Sequence, residues 1–225
     1  MASTSFESKK TLRFIIVIGM LSAIAYCAML LGKLVPNVAG FLSYDPKDAV
    51  VVIAGFIYGP LASLLISVLV SLVEMATVSS TGLYGLLMNV VSTCAFALPA
   101  VAVYQKKRSK TGAVIGLAVG VAVMAGTMVL WNYIITPLYM GVPREQVAGM
   151  LATVFLPFNA VKGVINAALV MIVYKPLITA LRKAKLVDDP NEGNGKHKIS
   201  IWTIVIASAV LVTAVLLLLV LAGVI

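Results

Sequence analysis

Residues 49–75 read AVVVIAGFIYGPLASLLISVLVSLVEM, and how this stretch divides decides the fold. Apart from Ser63, Ser67, Ser71 and Glu74 it is apolar, and a single Gly59-Pro60 pair interrupts it. A Gly-Pro dipeptide punctuates local structure, and a proline inside a helix removes one backbone bond and crowds the preceding turn. The stretch is therefore read as two tilted or broken helices, Asp48–Tyr58 and Leu61–Met75. Both are shorter than the roughly 17–25 residues of an ordinary span. Reading it as one helix instead would reverse the side of the membrane on which every later loop falls.

Five further apolar runs surround this pair, at about 12–34, 84–104, 113–135, 154–174 and 201–221. The runs are continuous rather than alternating, so they are helices and not the strands of a barrel. Composition agrees: 61% of the 225 residues are hydrophobic and 11% charged, against about 45–50% and about 25% in soluble domains. The chain is expected to be an all-α integral membrane protein. Residues 1–185 would form a six-helix substrate-binding domain, 186–199 a flexible cytoplasmic linker, and 200–225 an additional transmembrane helix. The N-terminal run is expected to stay as a helix rather than to be cleaved as a signal peptide. VPNVAGFLSYDPK (35–47), TVSSTG (77–82), QKKRSK (105–110) and TPLYMGVPREQVAGM (136–150) are expected to be loops or turns. KPLITALRKAK (175–185) reads as a helix extending into water.

The formal charge is +9, from 17 Lys and Arg against 8 Asp and Glu. Lys9, Lys10, Arg13, Lys106, Lys107, Arg108, Lys110, Lys175, Arg182, Lys183, Lys185, Lys196 and Lys198 fall on one side of the seven-span order. Lys33, Lys47, Arg144 and Lys162 fall on the other, a division of 13 to 4. Basic loops mark the cytoplasmic side, which puts the N-terminus inside and the C-terminus outside in a cell membrane. The same clustering beside apolar runs argues against nucleic acid as a partner. Cys27 and Cys94 lie in apolar runs and are expected to be buried, free thiols. The single histidine, His197, sits in the polar linker, and no metal-ligand spacing is present. Neither GxxxxGK[ST] nor GxSxG occurs, so no enzyme, cofactor or built-in nucleotide motor is expected.

Polar residues from separate segments converge on the outer face. Asn159 and Lys162 are spaced i,i+3 and share a helix face. Lys162 either snorkels or meets a ligand or carboxylate. Asn132 either bonds a neighbouring helix or meets a ligand. Glu74 is either an interfacial residue or a partner of Lys162. Asp45, Pro46 and Asp48 suit a helix start, as cap, first-turn proline and dipole partner, leaving Leu42, Ser43 and Tyr44 as ligand candidates. Trp131, Tyr133 and Tyr139 are belt aromatics or stacking partners for a planar ligand. Asn89 and Asn166 read as packing residues, Asn37 as a turn former, and Lys33 as an outer lysine with no motif around it. Gly19, Ala23 and Cys27 make a small-residue ladder that allows either internal packing or docking of another membrane subunit.

LSYDPKD (42–48), WNYIITPLYMG (131–141) and LPFNAVKG (156–163), in this order and at these helix ends, resemble the riboflavin-binding S component of energy-coupling factor (ECF) transporters. The resemblance covers roughly residues 10–185. It implies a six-helix bundle that captures riboflavin from outside. A transmembrane scaffold subunit and two cytosolic ATPases would complete an ATP-driven transporter. It further implies that Asn132, Asn159 and Lys162 address the flavin ring. Leu42 to Tyr44 would close over the ligand, and the ladder on the first segment would dock the scaffold. The seventh segment departs from the pattern and is expected to be dispensable for binding. A stand-alone secondary transporter or a membrane assembly protein are the competing readings.

Overall fold

The computed structural model describes residues 2–187 and 201–224, and the linker expected at 186–199 lies from residue 188 outside them, with His197. The helices are α1 (Ala2–Gly32), α2 (Lys47–Tyr58), α3 (Pro60–Thr77), α4 (Gly82–Lys106), α5 (Lys110–Met140), α6 (Arg144–Met150), α7 (Leu156–Lys183) and α8 (Ile201–Leu221). A π-helical turn, Leu151–Phe155, joins α6 to α7. Among the described residues, six helices are long and apolar enough to cross a membrane: α1, α3, α4, α5, the α6–α7 run and α8.

The break at Gly59-Pro60 is present. Gly59 has φ +95°, a conformation that side-chain-bearing residues rarely adopt, and Pro60 opens α3. With 12 residues, α2 is about 18 Å long, well short of the ~30 Å hydrocarbon core. It never has to span alone, because it is enclosed: every residue from Lys47 to Phe56 is buried, among α1, α3, α4 and α7. α4 and α5 pack closely through Gly116 and Gly120. A Cβ on Gly116 would sit 2.5 Å from the Ala100 carbonyl oxygen, and one on Gly120 would collide with that of Phe96.

Two ends of the bundle separate chemically. The Tyr58 hydroxyl donates to the Leu186 carbonyl at 3.0 Å, and Gly59 lies against Gln105. The α2–α3 turn therefore shares an end with the basic residues Lys106–Lys110 and Arg182–Lys185. The opposite end holds Lys33, Glu74, Asn132, Asn159 and Lys162.

Three expectations are corrected. Most of 136–150 is helical, because α5 continues to Met140 through Pro137 and α6 starts at Arg144. Asp45 does not cap α2. Its neighbour Pro46 holds the N-cap position, while Asp45 Oδ1 accepts from the Lys47 amide at 3.1 Å in a tight local turn. Cys27 is exposed on α1 rather than buried, and Cys94 is half-buried; both are free.

Candidate ligand-binding site

A cavity of about 240 Å³ opens at the end of the bundle opposite the basic loops. Its walls come from the α1–α2 connection, the end of α3, the first turns of α4, the last turns of α5 and the start of α7. All seven ligand candidates named from the sequence line it: Leu42, Ser43, Tyr44, Glu74, Asn132, Asn159 and Lys162. Phe41, Tyr84, Met88, Met128, Tyr139 and Phe158 supply apolar wall. Of the three aromatics around Asn132, Tyr139 lines the cavity, whereas Trp131 and Tyr133 do not.

Local helix geometry aims the two asparagines. Asn132 Nδ2 donates to the Met128 carbonyl at 2.7 Å, and Thr136 Oγ1 donates to Asn132 Oδ1 at 3.0 Å. Asn159 Nδ2 donates to the Phe155 carbonyl at 2.8 Å. A carboxamide has two N–H donors and an oxygen with two lone pairs, so each side chain is fixed and still keeps donor and acceptor capacity. The π-helical turn ends at Phe155, one helical turn before Asn159. Pro157 has no N–H to give to Thr153, and its ring crowds that carbonyl, which favours the wider turn there.

The charged groups form a balanced network. Lys162 Nζ lies 3.3 Å from Asp48 Oδ2 and donates to Ser92 Oγ at 3.3 Å. Thr93 Oγ1 donates to Asp48 Oδ1 at 2.6 Å. The sequence left Lys162 to snorkel or to find a carboxylate; it takes a carboxylate, and the partner is Asp48 rather than Glu74. Lys33 Nζ donates to Glu74 Oε1 at 3.0 Å, and Asn89 Nδ2 donates to Glu74 Oε2 at 2.7 Å. Lys47 is paired with Asp45 and lies 3.9 Å from Glu74 Oε2. Three ammonium groups thus meet three carboxylates, and the site carries no net charge.

Tyr44 bridges the connection to α7. Its hydroxyl donates to Asn166 Oδ1 at 3.3 Å, and Asn166 Nδ2 donates to the Asp45 carbonyl at 3.0 Å. Burial, and then the Asp48 carboxylate, push the Tyr44 phenol well above its ordinary value, so it remains a neutral donor. Asn166 is a structural residue, as its sequence reading had it. Asn37 accepts from Ser43 Oγ at 2.9 Å and shapes the connection.

Sequence reasoning missed Lys33, Asn89, Ser92 and the Ser79–Thr81 turn as cavity wall. A signal existed for α4: Gly85, Asn89 and Ser92 recur at helical spacing as a polar stripe in an apolar span. Lys33 offered none, since its role depends on Glu74 from a distant segment. The ladder residues Gly19, Ala23 and Cys27 are exposed on α1, and a Cβ on Gly19 would meet nothing within 4 Å, so the ladder does not serve internal packing.

Residues 13–174 match the family described as ECF transporter, substrate-specific component. The chain is 30% identical over 184 residues to the riboflavin transporter FmnP of Bacillus subtilis, which covers 76% of this chain and 97% of that protein. It is 28% identical over 175 residues to the riboflavin transporter RibU of Staphylococcus aureus, covering 75% and 92%. Its fold is similar to a solved S component of a bacterial ECF transporter, with a TM-score of 0.66 and 27% identity over 76% of this chain and 99% of that one. Helix α8 lies beyond the residues that the family match covers.

Proposed function

The chain belongs to the substrate-specific components of ECF transporters, and from that premise we propose that it captures riboflavin in the cavity described above. One observation carries the reading: residues from four separate parts of the chain, chosen from sequence as ligand groups, line one cavity whose charges cancel. Riboflavin is neutral and planar, with a uracil-like edge and a ribityl chain of hydroxyls. Apolar and aromatic wall suits the ring faces, and a few placed polar groups fix its orientation. Asn132 and Asn159 would address the edge of the ring, because a carboxamide presents a donor and an acceptor side by side. The Lys162 ammonium donates only and would face a ring carbonyl or a hydroxyl. Ser43 and Glu74 would meet the ribityl chain, with Leu42 and Tyr44 closing over it.

The cavity would face outward, with the N-terminus cytoplasmic and the C-terminus extracellular, as the division of Lys and Arg supports. Residues 1–185 would be the binding domain, 186–199 a cytoplasmic linker and 200–225 an added span. Capture alone moves nothing uphill, since a ligand shifts a conformational equilibrium only by its differential affinity for the two states. The driver would be a membrane scaffold subunit with two cytosolic ATPases, docked on the exposed Gly19, Ala23 and Cys27 face of α1. Mass spectrometry of bound small molecules on the gently purified, full-length protein tests the reading. Riboflavin is the expected ligand, and vesicles holding this chain alone should bind it without accumulating it. Concentrative uptake without partners would instead make the chain a stand-alone transporter.

A further inference from the structure

Helix α8 is 21 residues of almost unbroken Ile, Val, Leu and Ala, and most of its surface is exposed. Its inward positions nevertheless have a definite period. Ala207, Ala214 and Leu218 are buried, and Leu211 and Leu221 are half-buried. Spacings of 4, 3, 4 and 3 define one narrow seam of the kind that packs along a neighbouring helix. The neighbour is α7.

The last two turns of this seam also reach the roof of the cavity. Ala214 and Leu218 share one buried apolar cluster with Val38 and Tyr44 of the α1–α2 connection and with Phe158 and Ile165 of α7. Val35 and Leu42 pack against the same cluster. Leu42, Tyr44 and Phe158 therefore have two faces, one on the cavity and one on the cluster that α8 completes. The connection is itself a compact flap. Val38 and Leu42 exchange backbone bonds of 2.9 and 3.0 Å around a turn with Ala39 at φ 52° and Gly40 at φ 80°. Ala39, Gly40 and Phe41 separate the bonded pair, and the two successive positive φ values reverse the chain within these three residues. The flap is closed on itself by its own backbone bonds, and its apolar side rests on the cluster that α8 completes.

We propose that α8 is a retaining strut for the flap: Leu218 and Ala214 hold residues 38–44 down over the cavity and so slow release of the bound ligand. None of the polar groups assigned to the ligand lies on α8, so the strut sets how long a ligand stays rather than which ligand enters. Contacts that stabilise a closed state act mainly on dissociation, while association changes little. This assignment rests on the cavity being the ligand site. It also narrows the expectation that α8 is dispensable: the site is lined without α8, but its roof is not held without it.

The test compares full-length wild type with Leu218→Ala, Val38→Ala and the double variant. Riboflavin dissociation is followed by recovery of fluorescence after dilution. Each single variant should release ligand on the order of 10-fold faster, about 1.4 kcal/mol, with association within about 2-fold. The double variant should fall short of the product of the two effects, because both remove the same packing. Leu218→Ile should restore slow release, and Leu216→Ala, on the exposed side of α8, should behave as wild type. Amide hydrogen exchange at residues 38–42 without ligand gives an independent readout: exchange should rise in Leu218→Ala while α7 stays protected. If wild type binds no riboflavin but flap exchange still rises, the ligand assignment fails and the strut stands. Unchanged dissociation with unchanged flap exchange in Leu218→Ala would overturn the strut. Equal loss of protection along α7 would overturn it too, leaving α8 a stabiliser of that helix alone.

Discussion

Helices α2 and α8 are opposites. α2 has 12 residues, is enclosed over ten consecutive positions and starts with two charged residues, Lys47 and Asp48. α8 has 21 residues, carries no charge and turns most of its side chains outward. Hydropathy alone finds α8 at once and would discard α2 as too short. The functional weight runs the other way. α2 pairs Asp48 with Lys162 and sets Lys47 beside Glu74, whereas no described residue of α8 lines the cavity. A helix shielded by other helices on every side can be short and charged, because its polar groups find partners inside the protein. A helix that meets lipid can do neither.

The most damaging way to break this contrast is at Asp48. Asp48→Ala leaves the buried Lys162 without its carboxylate, and removing one partner of such a pair costs about 3–5 kcal/mol. The variant should lose a large part of its thermal stability in detergent, and a wild-type melting profile would show the pair to be idle. Glu74→Ala removes the acceptor shared by Lys33 and Asn89. Neither donor is fully buried, so stability should fall by less than the about 1–3 kcal/mol of an unmet buried donor, and riboflavin affinity should fall more than stability when both are titrated. Lys33→Ala should do less. Its side chain is 34% exposed, and a pair of that kind contributes only about 0.2–1 kcal/mol. The sequence cast Lys33 as an outer lysine apart from the site; the cavity wall and the Glu74 pair correct that, so a small but measurable loss of affinity is expected. At the bottom of the scale, Leu217→Ala on the outward side of α8 should leave both melting and binding within about 0.5 kcal/mol of wild type.

What was legible in the sequence follows the same division. α8 was read to its observed end at Leu221, because an all-apolar run has nothing inside it to confuse where it stops. The split at Gly59-Pro60 was legible because only a turn suits that pair between apolar runs. The stretch 136–150 misled, since Pro137, Pro143 and the polar Arg144-Glu145-Gln146 imitate a loop, yet α5 runs on past Pro137 to Met140. In the site, Asn159 and Lys162 were visible through their shared helix face. The partner of Lys162 was not, because a contact between positions 48 and 162 belongs to tertiary packing and leaves no local trace. Asn89 was read as a packing residue, which its bond to Glu74 of the preceding helix bears out, but its place in the cavity wall was not visible, for the same reason.

The central claim is that the carboxamides of α5 and α7 recognise riboflavin inside this cavity. Equilibrium titration by quenching of riboflavin fluorescence, on monodisperse protein in detergent, tests it most directly. Asn159→Ala and Asn132→Ala should each weaken binding by about 5- to 150-fold, the equivalent of about 1–3 kcal/mol for a lost buried hydrogen-bond partner. Their melting temperatures should stay close to that of wild type. Wild-type affinity in both variants would contradict the claim and move recognition to the α1–α2 connection.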